Sequence, residues 1–259
     1  MYKRQTYYNL NLIGNNEHKI LGVLTITNNF TVTGSTYFND NVALTVGGAT
    51  LYSSSVSTTL AGNLTTGTYT ITSGTFNDGG NTITVTGLGW TKNGGTFTSA
   101  GTGNVSFTGT AAQTIGGSSS TSFNNLTINN SSATGVTLAQ PIIVLGTGIL
   151  TLTSGFLYTD ATNLITMNSG SSVSGVSNNS FVLGPLAKVG STNFTFPVGK
   201  LLKYRPIAIT SLSGSDTFTA EYFLTDPNPL YSVASKDATL DHISRSEYWI
   251  LNRAGVRNA

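Results

Sequence analysis

The groups in this sequence that could do chemistry are few. Its 259 residues include twelve basic and ten acidic side chains, two histidines and no cysteine. Three acids, Asp40, Asp78 and Asp160, fall at corresponding places in stretches that resemble one another. A pair of carboxylates could act as general acid and base on a polysaccharide, which needs a separation of about 5–9.5 Å. The alternative is that each is a turn residue whose carboxylate accepts backbone N–H bonds, as in Asn-Asp-Gly turns. His18 and His242 stand far apart with no Ser or Asp partner pattern, and neither a zinc-protease, a nucleophile-elbow nor a phosphate-loop motif occurs. The lack of cysteine removes disulfides, thiolate metal sites and thiol nucleophiles.

Other groups pair a functional reading with a plain one. Asp226, Asp237 and Asp241, near Asn228, offer oxygens to calcium, but their spacing is not that of an EF-hand loop, and surface turns also account for them. Lys203 and Arg205, with Lys200 nearby, would make either a basic patch or an ordinary solvated face. Trp90 and Trp249 could stack on sugar rings but are expected to supply buried area; Trp90, in a Gly-rich stretch, is the better candidate of the two for exposure. Thr-x-Thr pairs recur at Thr25/Thr27, Thr31/Thr33, Thr70/Thr72, Thr82/Thr84, Thr96/Thr98 and Thr151/Thr153. Ranked on one flat face they would order water and bind ice; otherwise they are residues suited to the outer side of a strand. No cofactor motif is present, and a catalytic role is not expected.

The repeat predicts what must position these groups. Thr70-Ile71-Thr72-Ser73-Gly74-Thr75-Phe76-Asn77-Asp78 resembles Thr31–Asp40 and Leu150–Asp160, and Phe123–Ile128 resembles Tyr7–Leu12. Asp40 and Asp78 are 38 residues apart and Asp78 and Asp160 are 82 apart. Both distances suit a coil of about 19–21 residues, taken two and four times. Within each coil, runs such as Thr82-Ile83-Thr84-Val85-Thr86 alternate polar and apolar residues, the pattern of strands with one face buried. Gly, Asn, Asp and Ser break the runs as turn formers. The expected fold is all-β: a parallel β-solenoid with Ile, Val, Leu and Phe inside and Thr, Ser and Asn outside. An antiparallel β-sandwich array would use the same alternation. In the solenoid, two coils place Asp40 and Asp78 about 10 Å apart and Asp160 about 20 Å further along. That is too far for a catalytic pair and favours turn residues at one recurring corner.

Composition then divides the chain. Between residues 41 and 187 the only charges are Asp78, Lys92 and Asp160; from Lys188 onward there are fourteen, and five of the six prolines lie from Pro185 on. Proline interrupts stacked pairing, so residues 6–180 are expected to form the solenoid and 181–259 a β-sandwich-like module, with strands near 192–197, 204–210, 217–223 and 247–251. That module is expected to be incomplete. Residues 1–5, Met1-Tyr2-Lys3-Arg4-Gln5, match the translation of a transposon end used in sequencing libraries, so they are expected to be an assembly scar on an internal fragment. A net charge of +2 gives no reason to expect a nucleic-acid partner, and no apolar run is long enough for a transmembrane segment.

Several blocks resemble a family. They are Gly148-Ile149-Leu150-Thr151-Leu152-Thr153-Ser154-Gly155, Gly109–Gly117, Phe123–Asn129, Phe181-Val182-Leu183-Gly184-Pro185-Leu186, Phe194-Thr195-Phe196-Pro197-Val198-Gly199-Lys200 and Tyr204-Arg205-Pro206. Together they resemble the large secreted, adhesin-like β-repeat proteins of the Bacteroidetes that leave by the type IX secretion route. The resemblance implies a secreted or cell-surface location and a non-catalytic structural or adhesive role, with surface glycans or other cells as partners. The alternatives carried forward are a carbohydrate-active enzyme or glycan-binding module on a β-helix, and an ice-binding β-solenoid with a Thr-x-Thr face.

Overall fold

The computed structural model describes residues 5–254 except Asn16, Leu21, Thr36, Asn41 and Ala100; for Lys19, Ile20 and residues 37–40 only the backbone is described. The scar expected at residues 1–5 therefore lies outside the described residues except for Gln5, which pairs with Leu24. The chain is all-β, a parallel β-solenoid of about eight turns followed by a further sheet region. Each coil lays down strand segments on three faces, and down the first face each segment pairs in parallel with its counterpart one coil later.

The first face holds Gln5–Tyr7, Leu24–Ile26, Asn104–Phe107, Asn125–Asn129, Ile149–Ser154 and Ser172–Ser174, with the opening residues of three long strands, Leu44–Thr59, Leu64–Asn77 and Thr82–Lys92, between them. These long strands turn the corner and continue on the second face beside Phe30–Gly34 and Gln113–Gly117. On the third face Thr121–Phe123, Ile142–Val144, Ile165–Met167 and Leu186–Gly190 stack in turn. Corners are tight because backbones pack directly on one another. Gly74 turns with φ +72°, and a Cβ there would lie 2.3 Å from the carbonyl oxygen of Ser54 in the coil before.

The alternation read from the sequence is the inside-outside pattern of these strands. Leu24, Leu44, Leu64, Ile83, Val105, Leu126 and Leu150 form one buried column under the first face. Where second and third faces meet inside, aromatic rings fill the width. Tyr69 stacks on Trp90 with centroids 4.7 Å apart, Tyr52 and Tyr69 each meet Phe76 at 5.1 Å, and Trp90 meets Phe97 at 4.8 Å and Phe123 at 5.7 Å. Trp90 is thus buried, as expected of both tryptophans, and although its Gly-rich stretch made it the better candidate for exposure it lies deeper than Trp249; its indole N–H donates to Thr121 Oγ1 at 3.1 Å. The Gly residues around it serve close backbone packing: a Cβ at Gly89 would lie 2.0 Å from Thr114 O.

The stack ends in a change of chemistry and of direction. The inward column Phe123, Val144, Met167 is continued by Lys188. Its ammonium is buried and donates to the carbonyls of Asn168 at 2.7 Å and Ser171 at 3.0 Å, beneath the Phe194 ring at 5.0 Å. Burial holds its pKa below that of an ordinary lysine. Leu186–Gly190, the last parallel strand of the third face, then pairs antiparallel with Asp216–Phe223, and that strand pairs antiparallel with Tyr248–Ala254. Parallel pairing therefore runs past residue 181, and the region beyond shares a sheet with the solenoid. Phe194–Phe196 pairs with Ile207–Ile209, and their apolar side chains join the same core as Phe218, Ala220 and Tyr222.

Candidate binding surface

The acids do not assemble into a site. Asp78 ends the third-face segment of Leu64–Asn77, whereas Asp160 follows the second-face strand Leu157–Tyr158, so they occupy different corners of the coil. The expectation of one recurring corner fails for a geometric reason. Coils measured down the first face lengthen from 20 residues between Leu24 and Leu44 to 24 between Leu126 and Leu150. The 82 residues from Asp78 to Asp160 consequently span three coils and part of a fourth. Asp78 is buried and accepts from Gly80 N at 3.0 Å and from the Ser99 hydroxyl. Asp160 accepts from the backbone N–H groups of Thr162 and Asn163 at 2.7 Å each and from the Asn163 amide at 2.9 Å. Those bonds, Asn163's first, hold its carboxyl below the usual carboxylate range. Both are turn residues. The side chain of Asp40 lies outside the described residues.

The remaining groups are engaged locally. Asp226 accepts from Asn228 N at 2.9 Å and pairs with Arg245; Asp237 accepts from Thr239 N at 2.8 Å; Asp241 meets His242 at 2.9 Å. Among the described residues no three His, Cys, Asp or Glu side chains gather as metal ligands. His18 lies in Glu17–Ile20, opposite Phe38. Lys203 is exposed in the two-residue strand Lys203–Tyr204, while Arg205 lies just past it and pairs with Glu247 at 3.3 Å, so the expected shared strand face does not form. Glu247 also accepts from Tyr222, whose hydroxyl is pushed up to about 12, first by burial and then by that bond. Trp249 is partly buried, with its indole N–H on the Arg205 carbonyl at 2.9 Å.

The structure does gather the hydroxyls. Register pairing places Thr6, Thr25, Thr45, Thr65, Thr84, Ser106, Thr127, Thr151 and Ser174 in one column on the first face, its members exposed or half-buried except Ser106, which is buried. Strands about 4.8 Å apart make this column about 38 Å long. Beside it, two residues earlier in each strand, stand Asn63, Thr82, Asn104, Asn125 and Ser172, interrupted by Val23, Ala43 and Ile149. None of these positions carries a charge or an aromatic ring.

Chain position within the coil decides what each hydroxyl can do. At the corners hydroxyls turn back on the chain: Thr66 Oγ1 donates to Thr68 O at 2.7 Å, and Ser73 Oγ to Ser54 O at 3.0 Å. In the column Thr127 donates to Asn104 at 3.1 Å, and Thr151 and Ser174 share a bond of 3.1 Å. Thr25, Thr45, Thr65 and Thr84 lie mid-strand, and among the described residues their hydroxyls carry no bond to protein. Each is β-branched and stiff at χ1, so the row is ordered before anything binds.

The Thr-x-Thr pairs separate by face once the coils are laid out. Thr25/Thr27, Thr82/Thr84 and Thr151/Thr153 belong to the first, Thr31/Thr33 and Thr70/Thr72 to the second, and Thr96/Thr98 to the third. Their irregular spacing in sequence conceals the column in space, because coil length varies while the column residues stay paired, the register shifts falling at other positions of these strands. On the second face the matching outer row reads Asn11, Thr31, Leu51, Thr70, Thr91 and Gly116, which Leu51 and Gly116 interrupt. Comparison with known proteins adds no relative: no family model, no curated protein and no solved structure matches this chain.

Proposed function

We propose that this chain is the stalk of a non-catalytic, secreted or cell-surface β-repeat protein of the adhesin-like kind, presenting surfaces to glycans or other cells. The observation that supports it most is the unbroken register of nine strands down the first face. Such stacking turns chain length into a stiff rod, the form suited to holding a surface away from its anchor. The exterior is built from neutral polar side chains, which can stack in register without the repulsion that like charges would suffer. The acids at the corners support the same reading, since Asp78 and Asp160 are spent on their own turns.

Antibodies raised against the folded chain test this on intact source cells. Labelling of unpermeabilised cells is the expected result, together with retention of cells or glycan-coated beads by the immobilised chain. Labelling that appears only after permeabilisation would overturn it.

A further inference from the structure

We infer that the outer side of the first face binds ice. Two repeats define it. Neighbouring coils set hydroxyls about 4.8 Å apart along the column, and residues i and i+2 of one strand stand about 6.6 Å apart across it. These lie near the two repeats of oxygen rows on a prism plane of hexagonal ice. Thr82-x-Thr84 supplies the second direction within a single strand.

Three features favour ice over other occupants. Among the described residues the hydroxyls of Thr25, Thr45, Thr65 and Thr84, in four consecutive coils, are free of protein partners, whereas corner hydroxyls are taken by backbone carbonyls. No charge stands in the array to organise water radially, and each threonine sets a methyl beside its hydroxyl, so anchored water can adopt the spacing of the protein. The nine column positions carry no aromatic ring, the group on which a crystalline polysaccharide would stack, and the exposed Tyr8 stands beside only the first of them. Recognition would be by lattice fit over the area of the face, with each site weak and the sum decisive. The inference concerns the surface alone and does not depend on where the protein is displayed.

The test uses the whole chain. Thermal hysteresis, ice-crystal shaping and adsorption of the labelled protein onto an ice hemisphere are measured for the parent, for Thr65→Tyr/Thr84→Tyr, and for Thr70→Tyr/Thr91→Tyr. Both pairs are adjacent in register on the same coils, one on the first face and one on the second. Tyrosine suits the outside of a strand, so folding is preserved and only the surface is roughened. The expected result is activity in the parent and the second-face pair and its loss in the first-face pair. Should the first-face tyrosines prevent folding, Thr65→Val/Thr84→Val replaces them and is expected to weaken adsorption. A folded parent without hysteresis, shaping or adsorption overturns the inference. So does equal loss in both pairs, or adsorption to powdered cellulose or chitin but not to ice.

Discussion

Removing one hydroxyl from the interior should make this protein more stable. Tyr69 is fully buried in the aromatic stack, and among the described residues its OH has no hydrogen-bond partner. An unsatisfied buried hydroxyl costs about 1–3 kcal/mol. Phenylalanine keeps the ring, its stacking on Trp90 at 4.7 Å and its contact with Phe76, so Tyr69→Phe should gain about 1–2 kcal/mol. The neighbouring Tyr52 provides the contrast. Its OH donates to Val56 O at 2.6 Å, so Tyr52→Phe leaves that acceptor unpaired and should lose about 1 kcal/mol.

Alkaline titration gives the comparison a second axis. Burial, with a smaller contribution from Tyr52, raises the Tyr69 pKa well above its ordinary 10.0. The unfolded chain then releases the proton first, so this group's share of stability is intact below about pH 10 and is lost as pH rises beyond it. Tyr69→Phe should flatten that loss. Urea titrations at pH 7 and pH 10.5, followed by near-ultraviolet circular dichroism, measure both effects. A Tyr69→Phe variant less stable than its parent at pH 7 would refute the reasoning, because the hydroxyl would then have a partner worth more than its desolvation.

Two further substitutions probe the corner and the end of the stack. Gly74→Ala forces a side chain onto a left-handed backbone and against the Ser54 carbonyl, so it should cost about 2 kcal/mol or more and lower the thermal midpoint. Lys188→Ala empties the last inward position and takes the ammonium from the Ser171 carbonyl, while the Asn168 carbonyl keeps the Ser171 N–H and hydroxyl. It should cost about 2–4 kcal/mol, with hydrogen exchange quickening first in residues 165–190.

Sequence and structure agree where local physics decides, and part where chain closure does. The alternation of Thr82–Thr86 gives the strand and its buried face, and the strands expected near 192–197, 204–210, 217–223 and 247–251 appear as Phe194–Phe196, Ile207–Ile209, Asp216–Phe223 and Tyr248–Ala254. Coil phase was not legible. A Ser-Gly-Phe corner after Leu152 and the Ser-Gly-Thr-Phe corner after Ile71 look alike, yet Leu152 lies under the first face and Ile71 under the second. The three faces use the same alternation and the same kind of corner, so similarity identifies a corner without saying which one. The hydroxyl column was concealed for the same reason, since its members are separated by 19 to 24 residues and only pairing reveals their alignment. Burial of Trp90 was expected, but its glycines ranked it above Trp249 for exposure, whereas they mark close backbone contact beside a full interior. Lys188 gave no signal, since a lysine within a strand reads as solvated until the next strand closes over it.

The direction of the rung hydrogen bonds has a mechanical consequence. They run along the long axis of the rod, so tension on that axis loads them one rung at a time instead of shearing many together. A coil of 20 residues that peels away yields about 65 Å of extended chain in place of one 4.8 Å step. The rod thus resists bending yet gives way to a steady pull in small instalments, dissipating work at modest force, and coils still stacked offer a template on which released ones can wind back.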